Sequence, residues 1–197
     1  MLPVVPNIMK TDGILTWLAK PFYIAQYLYG GVPFLYYNRP TLSYPRVKAF
    51  MTKLRESQDP KEKDIPVGAA GFCWGGKHIT LLAQKDSVTS TGQPLVDAVF
   101  TGHPAMLSLP ADIDPVNKPY SVAVGDRDSM LSMKEVEQLK KILTKKTIPN
   151  ELEVYPGAGH GFCVRADPGG EKTLEHSLMA ENQAIKWFQT HLKSTST

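Results

Sequence analysis

Ile65-Pro-Val-Gly-Ala-Ala-Gly-Phe-Cys-Trp-Gly-Gly-Lys77 is the stretch that decides the fold. Ile65–Phe72 is a short apolar run, the pattern of a strand buried on both faces of a parallel sheet. It passes directly into Cys73-Trp74-Gly75-Gly76 and then into a helical stretch that extends to about Lys85. Gly-x-Cys-x-Gly at a strand-to-helix junction makes a tight turn that lifts the cysteine above the sheet. The flanking glycines suit such a turn because a side chain there would meet neighbouring backbone. The turn also points the N–H of Trp74 toward the site as an oxyanion donor and puts the sulfur near a helix N-terminus, which favours thiolate.

Outward from this junction the pattern repeats. Val96–Phe100, Tyr120–Val124 and Glu151–Tyr155 read as three more strands, separated by helical stretches that include Ser132–Lys145. The chain closes in a long amphipathic helix, about Thr173 to Leu192, with Leu174, Leu178, Ala184, Trp187, Phe188 and Leu192 as apolar anchors. Strands alternating with helices predict an α/β fold, a mostly parallel sheet flanked by helices. Ligands of such sheets bind at the C-terminal ends of the strands. The chemistry should therefore sit just after each apolar run.

Two acids, Asp126 and Asp128, follow the Tyr120–Val124 strand, and spacing alone does not choose between them. Either can hold a histidine in one tautomer and stabilise its imidazolium. His160, between Gly159 and Gly161, follows the Glu151–Tyr155 strand and has the position of a general base for Cys73. Nucleophile, acid and base thus occur in the chain order of α/β-hydrolases, each after its own strand. His103, in Gly102-His103-Pro104, also follows a strand and is read as a turn histidine able to line the pocket. His78 falls on the helix after the nucleophile, and His176 and His191 on the last helix, where they look peripheral.

Composition narrows the function classes. The 197 residues suit one domain, and 42% hydrophobic with 21% charged residues excludes disorder as the default. A net charge of +3 with no long Lys/Arg run gives no nucleic-acid footprint; the four lysines of Lys140–Lys146 close a predicted helix, where cations complement the dipole. Two cysteines cannot make a disulfide framework, and no His/Cys cluster has zinc-ligand spacing. The start has no signal-peptide pattern, and Ile14–Tyr37 is interrupted by Lys20, Pro21, Gly30-Gly31 and Pro33. The expectation is a cytoplasmic protein with no membrane role. A short helix through Leu15, Leu18, Ala19 and Phe22 should end at Gly30-Gly31, and Val47, Phe50, Met51 and Leu54 mark another. Residues 1–60 are then an irregular or helical lead-in, and 65–197 the catalytic core of a single domain.

With these motifs in hand, the chain resembles the dienelactone hydrolase family, particularly its fungal members. Gly71-Phe-Cys-Trp-Gly-Gly-Lys77 resembles the family's nucleophile motif, Gly102-His-Pro104 a recurrent turn, and Tyr155-Pro-Gly-Ala-Gly-His-Gly-Phe162 the base motif. Gly125-Asp-Arg-Asp128 is similar to the acid motif, and that resemblance selects Asp128. It implies hydrolysis of a small ester or enol-lactone through Cys73, His160 and Asp128, with no metal or organic cofactor. It also places Arg165 where family members carry an arginine near the substrate, so Arg165 and His103 are the substrate-binding candidates. The family carries further strands before the nucleophile and a loop with a second oxyanion N–H. The chain is thus expected to be an N-terminally shortened version, with a sheet edge that a homodimer would cover. The alternatives are a non-hydrolytic pathway enzyme, a cyclase or isomerase, and a degenerate relative that only binds.

Overall fold

The structure, a computed structural model, describes residues 14–59, 65–164 and 171–193. These fall into two compact units that divide between Arg46 and Val47.

In the first unit, helix α1 (Ile14–Tyr37) runs through Pro21, Gly30-Gly31 and Pro33. The expected stop at the glycine pair does not occur. Glycine lowers helix propensity by only about 1 kcal/mol, which a long apolar run can outweigh. Helix α2 (Pro40–Glu56) begins on a proline, whose fixed φ suits a first turn.

The second unit is built on four parallel strands in sequence order: β1 (Gly68–Phe72), β2 (Ala98–Gly102), β3 (Tyr120–Arg127) and β4 (Asn150–Gly159). Helices α3 (Trp74–Leu82), α4 (Met133–Thr144) and α5 (Glu171–His191) complete it. Each expected strand is present, displaced by two or three residues at most at its start. The α/β class with helices around a parallel sheet is what the alternating pattern required.

Neighbouring residues of β3 show how the layers lie. Tyr120 points its hydroxyl at Thr80 of α3, 2.7 Å away, and Ser121 meets Gln183 of α5 at 3.1 Å. Successive side chains of a strand face opposite ways, so α3 and α5 cover opposite faces. On the α5 face Phe100, Ala123, Tyr155, Ala158, Phe162, Ala180 and Trp187 form one apolar cluster. The strand centres are fully buried there: every residue of β2 and Tyr120–Val124 of β3. Such continuous burial explains why these strands read as predominantly apolar runs.

Two polar devices fasten the frame. Glu135 accepts from the N–H and the hydroxyl of Ser132, closing the α4 N-terminus. Arg55 of α2 is buried, donates to the carbonyls of Leu95 and Ile65, and pairs with Asp97, whose carboxylate also takes the Val67 N–H. The guanidinium thereby holds the part of α2 that lies in the second unit to the entry of β1 and β2.

Candidate active site

The described candidate residues lie at the C-terminal ends of β1 to β4. Cys73 stands between β1 and α3 with φ 52° and ψ −121°, a conformation that L-residues rarely hold. Strain of this kind costs about 1–3 kcal/mol and persists only where surrounding contacts impose it. Here they do: the Cys73 N–H donates to Gly102 O at 3.2 Å, and its carbonyl accepts from Gly76 and Ala105, each at 3.0 Å.

The glycines of the motif are not equivalent. A Cβ at Gly71 would lie 2.3 Å from Ile79 and 2.5 Å from the Gly75 carbonyl, and one at Gly76 2.8 Å from Pro104. At Gly75 it would meet nothing within 4 Å. The steric reason for glycine therefore holds at positions 71 and 76 and fails at 75.

Asp128 and His160 come to the same place from the ends of β3 and β4. The Asp128 carboxylate accepts the N–H groups of Met130 at 2.7 Å and Leu131 at 3.3 Å, and its oxygens lie 2.9 and 3.0 Å from His160 Nδ1. On the other side of the ring, His160 Nε2 lies 3.1 Å from Cys73 Sγ. One hydrogen-bonded line thus runs from carboxylate through imidazole to sulfur. Asp126, the competing acid, instead accepts the Gly157 N–H at 2.6 Å. Its work is to pin the turn that precedes His160, a role the sequence did not signal.

Electrostatics follow from this line. Burial lowers the His160 pKa, but hydrogen bonds to Asp128 and Cys73 and their negative charges outweigh it and raise it to about 9. Burial raises that of Asp128, yet the bonds from His160, Met130 and Leu131 leave it below the usual carboxylate value. The imidazolium–carboxylate form is favoured at neutral pH.

Trp74 opens α3 directly after Cys73, so its backbone N–H belongs to the first turn of that helix; its indole stacks on His78 at 4.0 Å between ring centres. His103 lies behind the site, 1% exposed, with its ring perpendicular to that of His160 at 5.0 Å. Arg165 lies outside the described residues. His176, expected to be peripheral, sets its ring against Tyr155 and Phe162. A buried ion pair between Lys77 and Asp112 also went unread: it ties the nucleophile helix to the loop after β2, and Asp112 takes the Ser108 N–H as well. Nothing in the sequence around Lys77 points to Asp112, 35 residues away.

Among the described residues no group of three His, Cys, Asp or Glu side chains is placed to hold a metal ion. No described helix is long and apolar enough to cross a membrane.

The sequence profile of the Dienelactone hydrolase family matches residues 39–192. Hydrolase pyvD of Aspergillus violaceofuscus is 23% identical over 98% of this chain and 70% of its own length. A putative carboxymethylenebutenolidase of Synechocystis is 29% identical over 68% of this chain. Hydrolase tropI of Talaromyces stipitatus is 24% identical over 76% of this chain, and this chain spans 54% of the length of each of these last two relatives. Among solved structures, a putative dienelactone hydrolase from Klebsiella pneumoniae superposes with a TM-score of 0.56 at 22% identity, over 74% of this chain and 60% of the other. The dienelactone hydrolase-like promiscuous phosphotriesterase P91 from metagenomic libraries gives 0.59 at 19% identity, over 80% and 65%. These likenesses show the α/β-hydrolase fold.

Proposed function

The chain belongs to the dienelactone hydrolase family, and on that premise we propose that it cleaves small esters or enol-lactones through Cys73, His160, Asp128 and an acyl-enzyme. The observation that carries this reading is the line Asp128–His160–Cys73, with bonds of 2.9 and 3.1 Å.

Each residue has one task. The imidazolium of His160 and the α3 N-terminus stabilise negative charge on Sγ, so the thiolate is at hand before substrate arrives. Sγ attacks the carbonyl carbon, and the Trp74 N–H stabilises the oxyanion that forms. As the carbonyl re-forms, the C–O bond breaks and His160 Nε2–H protonates the departing oxygen. Water, deprotonated by His160, then attacks the thioester, and the thiolate departs as the acid is released. Asp128 keeps the ring aligned through both half-reactions. All three protein groups end as they began.

A cysteine nucleophile also favours particular esters. The intermediate expels its better leaving group, and a thiolate, of pKa about 8.5, leaves far more readily than an alkoxide. Plain alkyl esters therefore mostly revert, whereas enolates and aryloxides compete with the thiolate. Activated esters and enol-lactones are the substrates this chemistry suits. Arg165 is assigned to a substrate carboxylate, which a guanidinium can hold with two parallel bonds.

The test is hydrolysis of a short activated aryl ester by the purified chain and by Cys73→Ala. Turnover lost in the variant is expected. Turnover retained in the variant, or absent from a folded wild-type chain, refutes the reading.

A further inference from the structure

With Cβ fixed by the backbone, the His160 ring moves by rotation about Cα–Cβ and Cβ–Cγ, and rotation about Cβ–Cγ swings both ring nitrogens off their partners at once. The two hydrogen bonds resist that rotation. A further contact against the ring adds to their resistance. Among the described residues His103 provides an aromatic one, its ring standing at 84° to the imidazole with centres 5.0 Å apart.

The backbone of His103 is held for this purpose from both sides. Gly102 ends β2 between Phe72 of β1 and Ala123 of β3. His103 itself has φ 38°, a region in which histidine is among the better-tolerated non-glycine residues, and its N–H donates to Ala123 O at 2.7 Å. The same turn bonds to the nucleophile twice, through Gly102 O to the Cys73 N–H and through the Ala105 N–H to Cys73 O. Its ring is braced by Phe72, the neighbour of Cys73, at 5.9 Å, and by Phe162, two residues past His160, at 6.0 Å. One buried ring therefore touches the residue beside the nucleophile, the base, and the residue behind the base.

We propose that His103 is a positioning residue that sets the plane of the His160 imidazole, acting through its ring rather than by touching substrate. This rests on the hydrolase reading for its catalytic consequence, but not for its physical content. Misplacement of a catalytic group costs rate without changing how substrate is held, so the loss belongs in kcat and not in KM.

The experiment compares His103→Asn, which keeps tolerance for positive φ but removes the ring, with His103→Phe, which restores one. Three readouts are taken: kcat and KM on the aryl ester, the pH titration of His160 by NMR, and the rate of Cys73 alkylation by iodoacetamide, followed peptide by peptide so that Cys163 is scored separately. In His103→Asn, kcat should fall about tenfold at unchanged KM. His160 should titrate below about 9, and alkylation of Cys73 at neutral pH should slow. His103→Phe should recover most of each. Should His103→Asn not fold, His103→Gly takes its place, because the same positive φ favours it. An Asn variant equal to wild type, or a Phe variant as impaired as Asn, overturns the proposal. A wild-type chain without esterase activity, in which the titration and alkylation still respond as described, removes the hydrolase reading and leaves His103 standing.

Discussion

The two cysteines sit in regions of opposite character, although both lie beside the same site. Cys73 is forced into a strained turn at the head of α3, with His160 Nε2 3.1 Å from its sulfur. Cys163, three residues past that histidine, lines an apolar cleft of about 300 Å³ with Phe72, Phe100, Ala184 and Phe188. Burial there pushes its thiol up to about 12, so it stays neutral at any physiological pH. Identical side chains become a nucleophile and an inert thiol because one has a cationic partner at a helix N-terminus and the other is buried in a mainly apolar cleft with no cation to stabilise a thiolate.

Substitution sharpens this contrast. Cys73→Ala should cost at least about 10³-fold in turnover of an aryl ester, the scale on which loss of a nucleophile acts. Cys163→Ala should keep kcat within about threefold and lose about 1 kcal/mol of stability through its vacated volume. Equal losses in the two variants would end the distinction between the regions.

The two aspartates make a finer version of the same test. Asp128→Asn removes the charge that sustains the imidazolium, and kcat should fall about 10²–10⁴-fold. Asp126→Asn retains an acceptor for the Gly157 N–H, and its effect should stay within a few fold. Steady-state kinetics of both variants decide which acid serves the histidine.

The pH dependence is smaller and has a definite sign. His160 is raised to about 9, so its proton is available to a leaving group below that value. The ratio kcat/KM should decline by up to tenfold per unit as pH rises beyond it. The same pair contributes stability that is fully present below the ordinary histidine value, near 6.5, and is lost as pH rises through about 9. For Asp128, held below its usual value, the contribution is present above about 4 and is lost as pH falls further. Thermal unfolding across pH, in wild type and Asp128→Asn, checks both limbs.

The smallest effects concern the glycines. Gly75→Ala adds a Cβ that meets nothing within 4 Å, so α3 should gain up to about 1 kcal/mol from helix propensity. Gly71→Ala must displace Ile79 and the Gly75 carbonyl and should destabilise by about 1–3 kcal/mol. Chemical denaturation of the two variants should give shifts of opposite sign.

How much of this could be read from the chain follows from the same physics. The sheet was legible because strands covered on both faces are mostly apolar, as β2 and the first part of β3 are, Thr101 and Ser121 apart. Cys73 and His160 could be picked out because each follows its own strand, whereas Asp128 was separated from Asp126 only by the family resemblance; the three side chains lie in one hydrogen-bonded line. The limits lie where partners are distant in sequence or patterns are ambiguous. Asp126, near the end of β3, and Asp128, just past it, sit two residues apart, and only the position of β4 separates the tasks of their side chains. The Lys77–Asp112 pair spans 35 residues, and nothing local foretells it. In α1 the Gly30-Gly31 pair read as a stop, but a helix of 24 residues passes through it.

The central claim is a covalent bond to one sulfur, and rapid quenching followed by peptide mass spectrometry observes it. On mixing with an activated aryl acetate, the peptide carrying Cys73 should gain one acetyl group within the first turnover and lose it as the thioester hydrolyses, while the Cys163 peptide stays unmodified. Turnover without acetyl on Cys73, or acetyl accumulating on another residue at the rate of the reaction, would contradict the account.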